Sequence, residues 1–140
     1  VCDVVIAASG TKFGLTETRL GLIPATISPY VIARMGEGKA RRVFMSARIF
    51  SAAEAQALDL IADQVPAAQL EARIEAEIAP YLKVAPGAVA ASKSLARALG
   101  PRIDAEVIEE TVKRLADTWE GVEAKAGIDA FLSKSKAPWA

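Results

Sequence analysis

Glu17 is the residue whose surroundings most favour chemistry. It stands in a segment whose other members are largely apolar, namely Phe13, Leu15, Leu20, Leu22 and Ile23. A carboxyl group among apolar side chains is predicted to be buried, and a buried carboxyl group can give or take a proton during a reaction. The competing interpretation is an ordinary carboxylate in the first turn of a helix, where the helix dipole favours negative charge. The local sequence leaves both interpretations open.

Other kinds of catalytic chemistry lack the side chains they need. The chain contains no histidine and one cysteine, Cys2, so a Cys-His or Ser-His nucleophile within it is excluded. With scattered carboxylates as the remaining ligands, we expect no metal site. No glycine-rich phosphate loop follows a strand, so we expect neither nicotinamide nor ATP chemistry and no prosthetic group.

The segments around Glu17 predict short, irregular elements. Val1–Ala8 is predicted to be a buried strand, followed by a turn and by an extended piece at Phe13–Leu15. Thr16 stands at the N-cap position of a helix of one or two turns. Pro24 is predicted to occupy the first position of a new helix that runs to Met35 and ends at a glycine.

The rest of the chain is predicted to be mostly helical. A second helix covers 39–47, and Ser51 with Glu54 forms a capping box before a third. Leu60–Val65 is predicted to be a short strand. Four further helices are predicted. The first follows an apolar stripe over 70–82, and the second opens at Pro86 and closes at Gly100. The third begins after Asp104, and the fourth covers 121–132. The stripe after Asp104 consists of Ile108, Val112, Leu115 and Trp119.

Composition narrows the possible partners. The chain has 140 residues with 17 basic and 17 acidic side chains, which gives no electrostatic reason to expect nucleic acid or an anionic membrane. Its apolar runs are too short to cross a bilayer. A single cysteine, which cannot form an internal disulfide, favours a reducing, cytoplasmic compartment.

The first residues already predict a core strand whose pairing partners must come from elsewhere. We therefore expect polypeptide N-terminal to Val1, and with it the N-terminal half of the core.

Several motifs follow one another along the chain. Asp3 lies in a Cys-Asp strand, fourteen positions before Glu17. The segment 12–24 then has the pattern Phe-x-x-x-Glu-x-x-x-Gly-x-x-Pro. In this order the two motifs resemble the second half of the enoyl-CoA hydratase/isomerase (crotonase) signature. Residues 36–42 and 51–61 look like that family's next two helices, and 123–132 resembles its terminal Glu-Gly-Ile-x-Ala-Phe helix, so the resemblance covers essentially the whole chain.

This resemblance implies a crotonase-like α/β spiral that hydrates a 2-enoyl-CoA thioester. Glu17 matches the second of two carboxylates, one of which takes a proton from water while the other protonates the α carbon. The first carboxylate and the two N–H groups of the oxyanion hole are expected upstream of Val1, so residues 1–140 alone should be inactive. Coenzyme A enters only as part of the substrate.

The resemblance also implies a substrate pocket beside Pro24, Ala25 and Ile27. After Pro24 many family members carry a glycine-rich Gly-Ala-Gly-Gly-Thr-Gln-Arg sequence, whereas this chain has Ala-Thr-Ile-Ser-Pro-Tyr-Val. That variant resembles the methylglutaconyl-CoA and isohexenylglutaconyl-CoA hydratase branch, and favours a branched or carboxylated acyl group. For Ile27 the alternative is simple core packing.

In the family, an aromatic residue and a lysine of the terminal segment commonly lie near the adenine and phosphates of coenzyme A. Phe131 and Lys134 match these positions, with Lys93 a weaker candidate. For the lysine the alternative is a solvated tail, and for Phe131 it is closure of the helical core. The resemblance further implies that residues 1–65 are the C-terminal part of the spiral core and that residues 66–140 form a helical oligomerisation region. It also implies a homotrimer, commonly doubled to a hexamer.

Two other functions stay open at this point. One is an enoyl-CoA isomerase, which moves a double bond by shuttling a proton and can work with one carboxylate. The other is a non-catalytic assembly module that keeps only the family's oligomerisation half. Fatty acid or branched-chain amino acid catabolism is the expected setting for the enzymes.

Overall fold

The structure is a computed structural model and describes residues 2–140. These residues divide into two compact units. Unit 1 holds the described part of Val1–Lys12 together with Ser51–Arg102, and unit 2 holds Phe13–Phe50 together with Ile103–Ala140. Each unit therefore combines an early segment of the chain with a late one. The expected division at residue 65 stays a prediction.

Within residues 2–140, short three-residue strands are interspersed with helices up to Val65, and helices alone follow. The strands are β1 (Ile6–Ala8), β2 (Lys12–Gly14), β3 (Ile49–Ser51) and β4 (Asp63–Val65). The helices are α1 (Ser28–Met35), α2 (Glu37–Phe44), α3 (Ala52–Ala57), α4 (Leu70–Ile78), α5 (Pro86–Leu99), α6 (Ala105–Trp119) and α7 (Val122–Leu132). The 3₁₀ helix Glu17–Leu20, called the Glu17 helix below, lies between β2 and α1. Two further 3₁₀ turns cover Ala67–Gln69 and Ala79–Lys83.

In unit 1, β1 and β4 pair in parallel, with Ile6 opposite Asp63 and Ala8 opposite Val65. Both strands are shorter than the sequence predicts. Of the strand expected over Val1–Ala8, Val1 lies outside the described residues and only the last three residues form β1. The strand expected from Leu60 starts three residues late, because the Leu60 N–H donates back to the Ala55 carbonyl (2.9 Å) and closes α3 instead.

The helices of unit 1 confirm some predicted caps and correct others. The Glu54 N–H donates to Ser51 Oγ at 3.2 Å, which confirms the N-terminal cap of α3. The apolar stripe over 70–82 does not follow one helix, since α4 gives way to a 3₁₀ turn that contains Pro80. Gly100 ends α5 in extended backbone (φ −87°, ψ −178°), the conformation favoured before a proline.

An ionic cluster joins α4 to β4. Arg73 Nε donates to Asp63 Oδ2 at 2.7 Å, and its Nη2 donates to Glu77 Oε2 at 2.9 Å. The bond from the guanidinium, followed by one from the Gln64 N–H, lowers the pKa of the Asp63 carboxyl below its ordinary value. The same bond to Asp63 raises the pKa of Arg73. The charges in this part of unit 1 are thus matched by neighbours.

In unit 2, α1 starts later than predicted. The helix begins at Ser28 with Pro29 in its first turn, so the expectation that Pro24 opens it is wrong. The Ala25 N–H donates to the Ile23 carbonyl (2.8 Å), and Ser28 Oγ donates to the Ala25 carbonyl (2.8 Å). In a helix from Ala25, the Ala25 carbonyl would accept from the N–H of residue 29, but Pro29 has none, and the carbonyl accepts from Ser28 instead. Pro29, rather than Pro24, lies in the first turn of the helix.

The remaining helices of unit 2 follow the predicted caps closely. Gly36 ends α1 with φ 77°, and α2 follows at once, two residues before its predicted start at Lys39. The Val107 N–H donates to Asp104 Oδ1 at 3.2 Å, which confirms the cap of α6. The predicted stripe of α6 is not covered by unit 2, since Val112 and Trp119 are more than half exposed (53% and 57%).

The core of unit 2 lies under α2 and α7. Val43 and Ala124 are fully buried and Phe50 nearly so, with the Phe50 ring stacked 5.9 Å from that of Phe13. No helix within residues 2–140 combines the length and apolar character needed to cross a membrane.

Candidate active site

Glu17 opens its helix directly after Thr16, as predicted. The helix is one turn long because Gly21 adopts a left-handed backbone (φ 71°) and the Leu22 N–H donates to the Glu17 carbonyl at 3.1 Å. The Thr16 side chain makes no capping hydrogen bond, so the backbone alone shapes this turn.

The Glu17 carboxyl group contains a buried oxygen that accepts no hydrogen bond within residues 2–140. The side chain is half-buried, and its Oε2 atom is fully shielded with no hydrogen-bond donor among residues 2–140. Leaving a buried acceptor unpaired costs about 1–3 kcal/mol, and more for a charged group. This atom is therefore better explained as part of a site that a ligand, a proton or other polypeptide completes than as an ordinary surface carboxylate.

An apolar pocket of about 300 Å³ begins at the residue next to Glu17. Its lining residues come from the Glu17 helix, the following loop, α1 and the end of α2, and are Thr18, Ile23, Pro24, Ala25, Ser28, Ile32, Phe44 and Met45. Two of the three residues predicted for a substrate pocket, Pro24 and Ala25, therefore share one cavity. The third, Ile27, lies outside this lining and is 44% exposed.

Both hydroxyl groups of the pocket already donate a hydrogen bond to a main-chain carbonyl. Thr18 Oγ1 donates to the Phe44 carbonyl at 3.3 Å, which ties the Glu17 helix to the end of α2. Ser28 Oγ is held by the Ala25 carbonyl, as described above. No lining residue carries a charge. The pocket therefore suits a hydrocarbon group.

Sequence reasoning missed the wall formed by Ile32, Phe44 and Met45. Ile32 lies four residues after Ser28, so the helical period could have placed it on the same face of α1. Phe44 and Met45 come from the end of α2. Their approach to Pro24 depends on how α1 packs against α2, for which the sequence carries no local signal.

Phe131 and Lys134 lie at the C-terminal end of α7. The Ser135 N–H donates to the Ala130 carbonyl (2.9 Å) and the Lys134 N–H donates to the Phe131 carbonyl (3.2 Å), which is the Schellman pattern. Lys134 occupies its left-handed position with φ 54°, where glycine is preferred. The Phe131 side chain is 69% exposed, so it does not close a core within unit 2.

Lys93 has a partner of another kind. It forms an ion pair with Asp3 in unit 1, so its ammonium group is engaged by a carboxylate. Residues 2–140 contain no group of three His, Cys, Asp or Glu side chains that could hold a metal ion.

The elements described above form a crotonase-like α/β fold. An enoyl-CoA hydratase from Mycobacterium avium matches with a TM-score of 0.82 and 28% identity, covering 99% of this chain and 55% of that one. AtuE from Pseudomonas aeruginosa matches with a TM-score of 0.68 and 37% identity, covering 99% of this chain and 54% of that one.

Sequence comparison gives the family. The model of the family described as enoyl-CoA hydratase/isomerase matches residues 1–140. The "Probable enoyl-CoA hydratase echA8" of Mycobacterium bovis is 32% identical over 142 aligned positions, covering 99% of this chain and 54% of that protein. The chain belongs to the enoyl-CoA hydratase/isomerase family, which confirms the resemblance at the level of the family. It spans about half the length of the curated relatives it matches.

Proposed function

We propose that the polypeptide containing this chain hydrates a 2-enoyl-CoA thioester and that Glu17 is one of its acid/base carboxylates. The observation that carries the proposal is the buried Oε2 atom of Glu17, which has no hydrogen-bond partner within residues 2–140. Glu17 lies in the family's motif, one residue from an apolar pocket. A structural carboxylate would be expected to have a bonding partner, as Asp63 has.

In this reaction the water oxygen bonds to the β carbon of the enoyl group, and a proton is added to the α carbon. One carboxylate takes the proton that water loses, and an acid supplies the proton that the α carbon gains. Glu17 performs one of these transfers. The other carboxylate and the donors that stabilise the thioester oxyanion are proposed to come from polypeptide outside residues 1–140.

The pocket suggests which part of the substrate it binds. Since its lining is uncharged and its hydroxyls are internally bonded, the group that enters it is hydrocarbon. We propose a short branched enoyl group, with 3-methylglutaconyl-CoA as the substrate to test. Its methyl branch suits the pocket, while its terminal carboxylate needs a cation from outside the lining. Turnover of 3-methylglutaconyl-CoA no faster than that of crotonyl-CoA would contradict this assignment.

Glu17→Gln in the complete natural polypeptide that contains residues 1–140 tests the catalytic role. The amide keeps the shape of the side chain but cannot exchange a proton, so kcat should fall by about 10²–10⁴. The matched control is Glu106→Gln, because Glu106 is an exposed carboxylate in the first turn of α6. Equal turnover by the two variants would return Glu17 to the role of a helix-dipole carboxylate.

Isomerisation is the second candidate, because the described chain supplies one carboxylate suited to proton transfer and isomerisation can use one. A structure from Pseudoalteromonas atlantica with 25% identity is described as an enoyl-CoA hydratase/isomerase. Product mass separates the reactions, since hydration adds one water and isomerisation adds nothing. A product of unchanged mass with a shifted double bond would favour the isomerase.

We further propose that Phe131 and Lys134 contact coenzyme A and that copies of the polypeptide assemble as a trimer or hexamer. Exposure of Phe131 at the end of α7 supports the first proposal, since an aromatic face must be accessible to stack on adenine. The exposed stripe of α6, which includes Val112 and Trp119, supports the second. Analytical ultracentrifugation of Val112→Glu checks the assembly, and an unchanged mass would exclude this face.

A further inference from the structure

Two glycines bring the backbone of the Glu17 helix against the backbone of α7. A methyl group added at Gly127 would lie 2.6 Å from the carbonyl carbon and oxygen of Leu20. A methyl group added at Gly21 would lie 2.4 Å from the carbonyl carbon of Glu123 and 2.7 Å from the N atom of Ala124. The obstructing atoms are main-chain atoms, which cannot rotate away as a side chain can. The approach therefore requires glycine on both elements.

Buried residues and a hydrogen bond flank this contact. Ala124 is fully buried and Ala130 is 7% exposed, so the face of α7 on which Gly127 lies is closed to solvent. On the other side of the Glu17 helix, the Thr18 hydroxyl is bonded to the Phe44 carbonyl. The four-residue helix is thus held between α7 and the end of α2.

The Glu17 carboxylate is carried by the backbone that makes this contact. Oε2 has no hydrogen bond within residues 2–140 that could orient it, so its place follows from the backbone that carries it. Displacing a catalytic group by about 1 Å can cost about 10²-fold in rate. We infer that Gly127 is a positioning residue, which sets the location of the Glu17 carboxylate through the backbone contact between α7 and Leu20.

This inference rests on the proposed function of Glu17, so its test must separate the two. Gly127→Ala is made in the complete polypeptide, alone and combined with Glu17→Gln. We expect the single variant to lower kcat by about 10-fold or more with KM changed by less than about twofold. In the Glu17→Gln background the same change should cause no further loss of kcat, because there is no proton-transferring group left to misplace.

A purely structural role predicts another outcome. If Gly127→Ala lowered kcat by the same factor with and without the Glu17 carboxylate, the positioning role would be overturned while the proposed function stood. If Glu17→Gln alone kept full activity, the proposed function would fail and the inference with it. Gly38→Ala is the matched control, since no described atom lies within 4 Å of a methyl group added there, and it should keep full activity.

A second variant covers failure of Gly127→Ala to fold. Ala124→Gly removes a buried methyl group from the same face of α7 and introduces no clash. It should loosen the contact and lower kcat by about two- to fivefold, and this loss should again vanish in the Glu17→Gln background. A loss of equal size in both backgrounds, or no loss in either, would overturn the inference.

Discussion

Asp63 in unit 1 and Glu17 in unit 2 are both half-buried carboxylates, yet their surroundings differ. Asp63 accepts a bond from the Arg73 guanidinium and one from the Gln64 N–H, and its pKa is lowered in consequence. Glu17 has a shielded oxygen that bonds to nothing within residues 2–140. The Asp63 carboxylate is held in its charged form by its neighbours. The Glu17 carboxylate has an oxygen that can still accept a hydrogen bond or a proton.

The difference teaches how to separate stability from function in this chain. A carboxylate whose bonds are all made contributes to the folded state, and its removal leaves the partner group unmatched. A carboxylate that is shielded from solvent and has no bonding partner lowers the stability of the folded state. Such carboxylates are retained where a reaction uses them. Replacing each carboxylate by its amide should therefore change activity and Tm in opposite ways at Glu17 and at Asp63.

The largest contrast is expected from replacing each carboxylate by its amide. Glu17→Gln should lose activity by the factor given above while its Tm stays equal or rises, since an uncharged amide is less costly to shield. Asp63→Asn should keep activity within about twofold while its Tm falls, because Arg73 loses one of its two charged partners. Steady-state kinetics and differential scanning calorimetry on the complete polypeptide measure both effects. A lower Tm for Glu17→Gln than for Asp63→Asn would break the comparison.

A smaller effect is expected at the end of α7, where strain and binding can be separated at one residue. Lys134→Gly places glycine at the left-handed position and should stabilise the helix end by about 1 kcal/mol. It also removes the ammonium group proposed to meet a phosphate of coenzyme A, so KM should rise by about 3- to 10-fold with kcat unchanged. Thermal unfolding and initial rates over a range of substrate concentrations check both parts.

The control for that change is Lys136→Gly, which removes a similar charge from the same tail without altering the left-handed position. It should leave both KM and Tm nearly unchanged. A Lys134→Gly variant that is more stable but has an unaltered KM would make Lys134 a helix-capping residue only.

Features that depend on neighbours in sequence were predictable. The caps formed by Ser51 and Asp104 are hydrogen bonds to N–H groups three residues away, so the residue types and spacing specify them. The predicted start of α1 was wrong because Pro24 and Pro29 both fit the preference for proline in the first turn of a helix. Turns at Ala25 and Ser28 decide between the two prolines. The strands were overextended because residues near their ends bond elsewhere.

Features that depend on approach between distant segments were not predictable. The motif made Glu17 a candidate, but nothing nearby in sequence indicates that Gly127, more than one hundred positions later, touches Leu20. The pocket wall supplied by Phe44 and Met45 is of the same kind. The family resemblance gave the motif and its order, whereas these contacts arise from packing between helices, for which a single sequence carries no distance information.

The smallest expected effect concerns acid and the Arg73 cluster. Because bonding lowers the pKa of Asp63 in the folded state, its contribution to stability is present above the ordinary aspartate pKa and is lost as pH falls through the lowered one. Arg73→Met should therefore reduce Tm at neutral pH, and the difference from the unsubstituted protein should shrink below about pH 4.

The matched control for this change is Arg114→Met. Arg114 pairs with Glu110 on α6, and those side chains are 67% and 54% exposed against 30% and 29% for Arg73 and Asp63. Solvent screens the more exposed pair, so its loss should lower Tm by less at every pH. A Tm difference for Arg73→Met that stayed constant from neutral pH into acid would show that the aliphatic part of Arg73, rather than its bond to Asp63, joins α4 to β4.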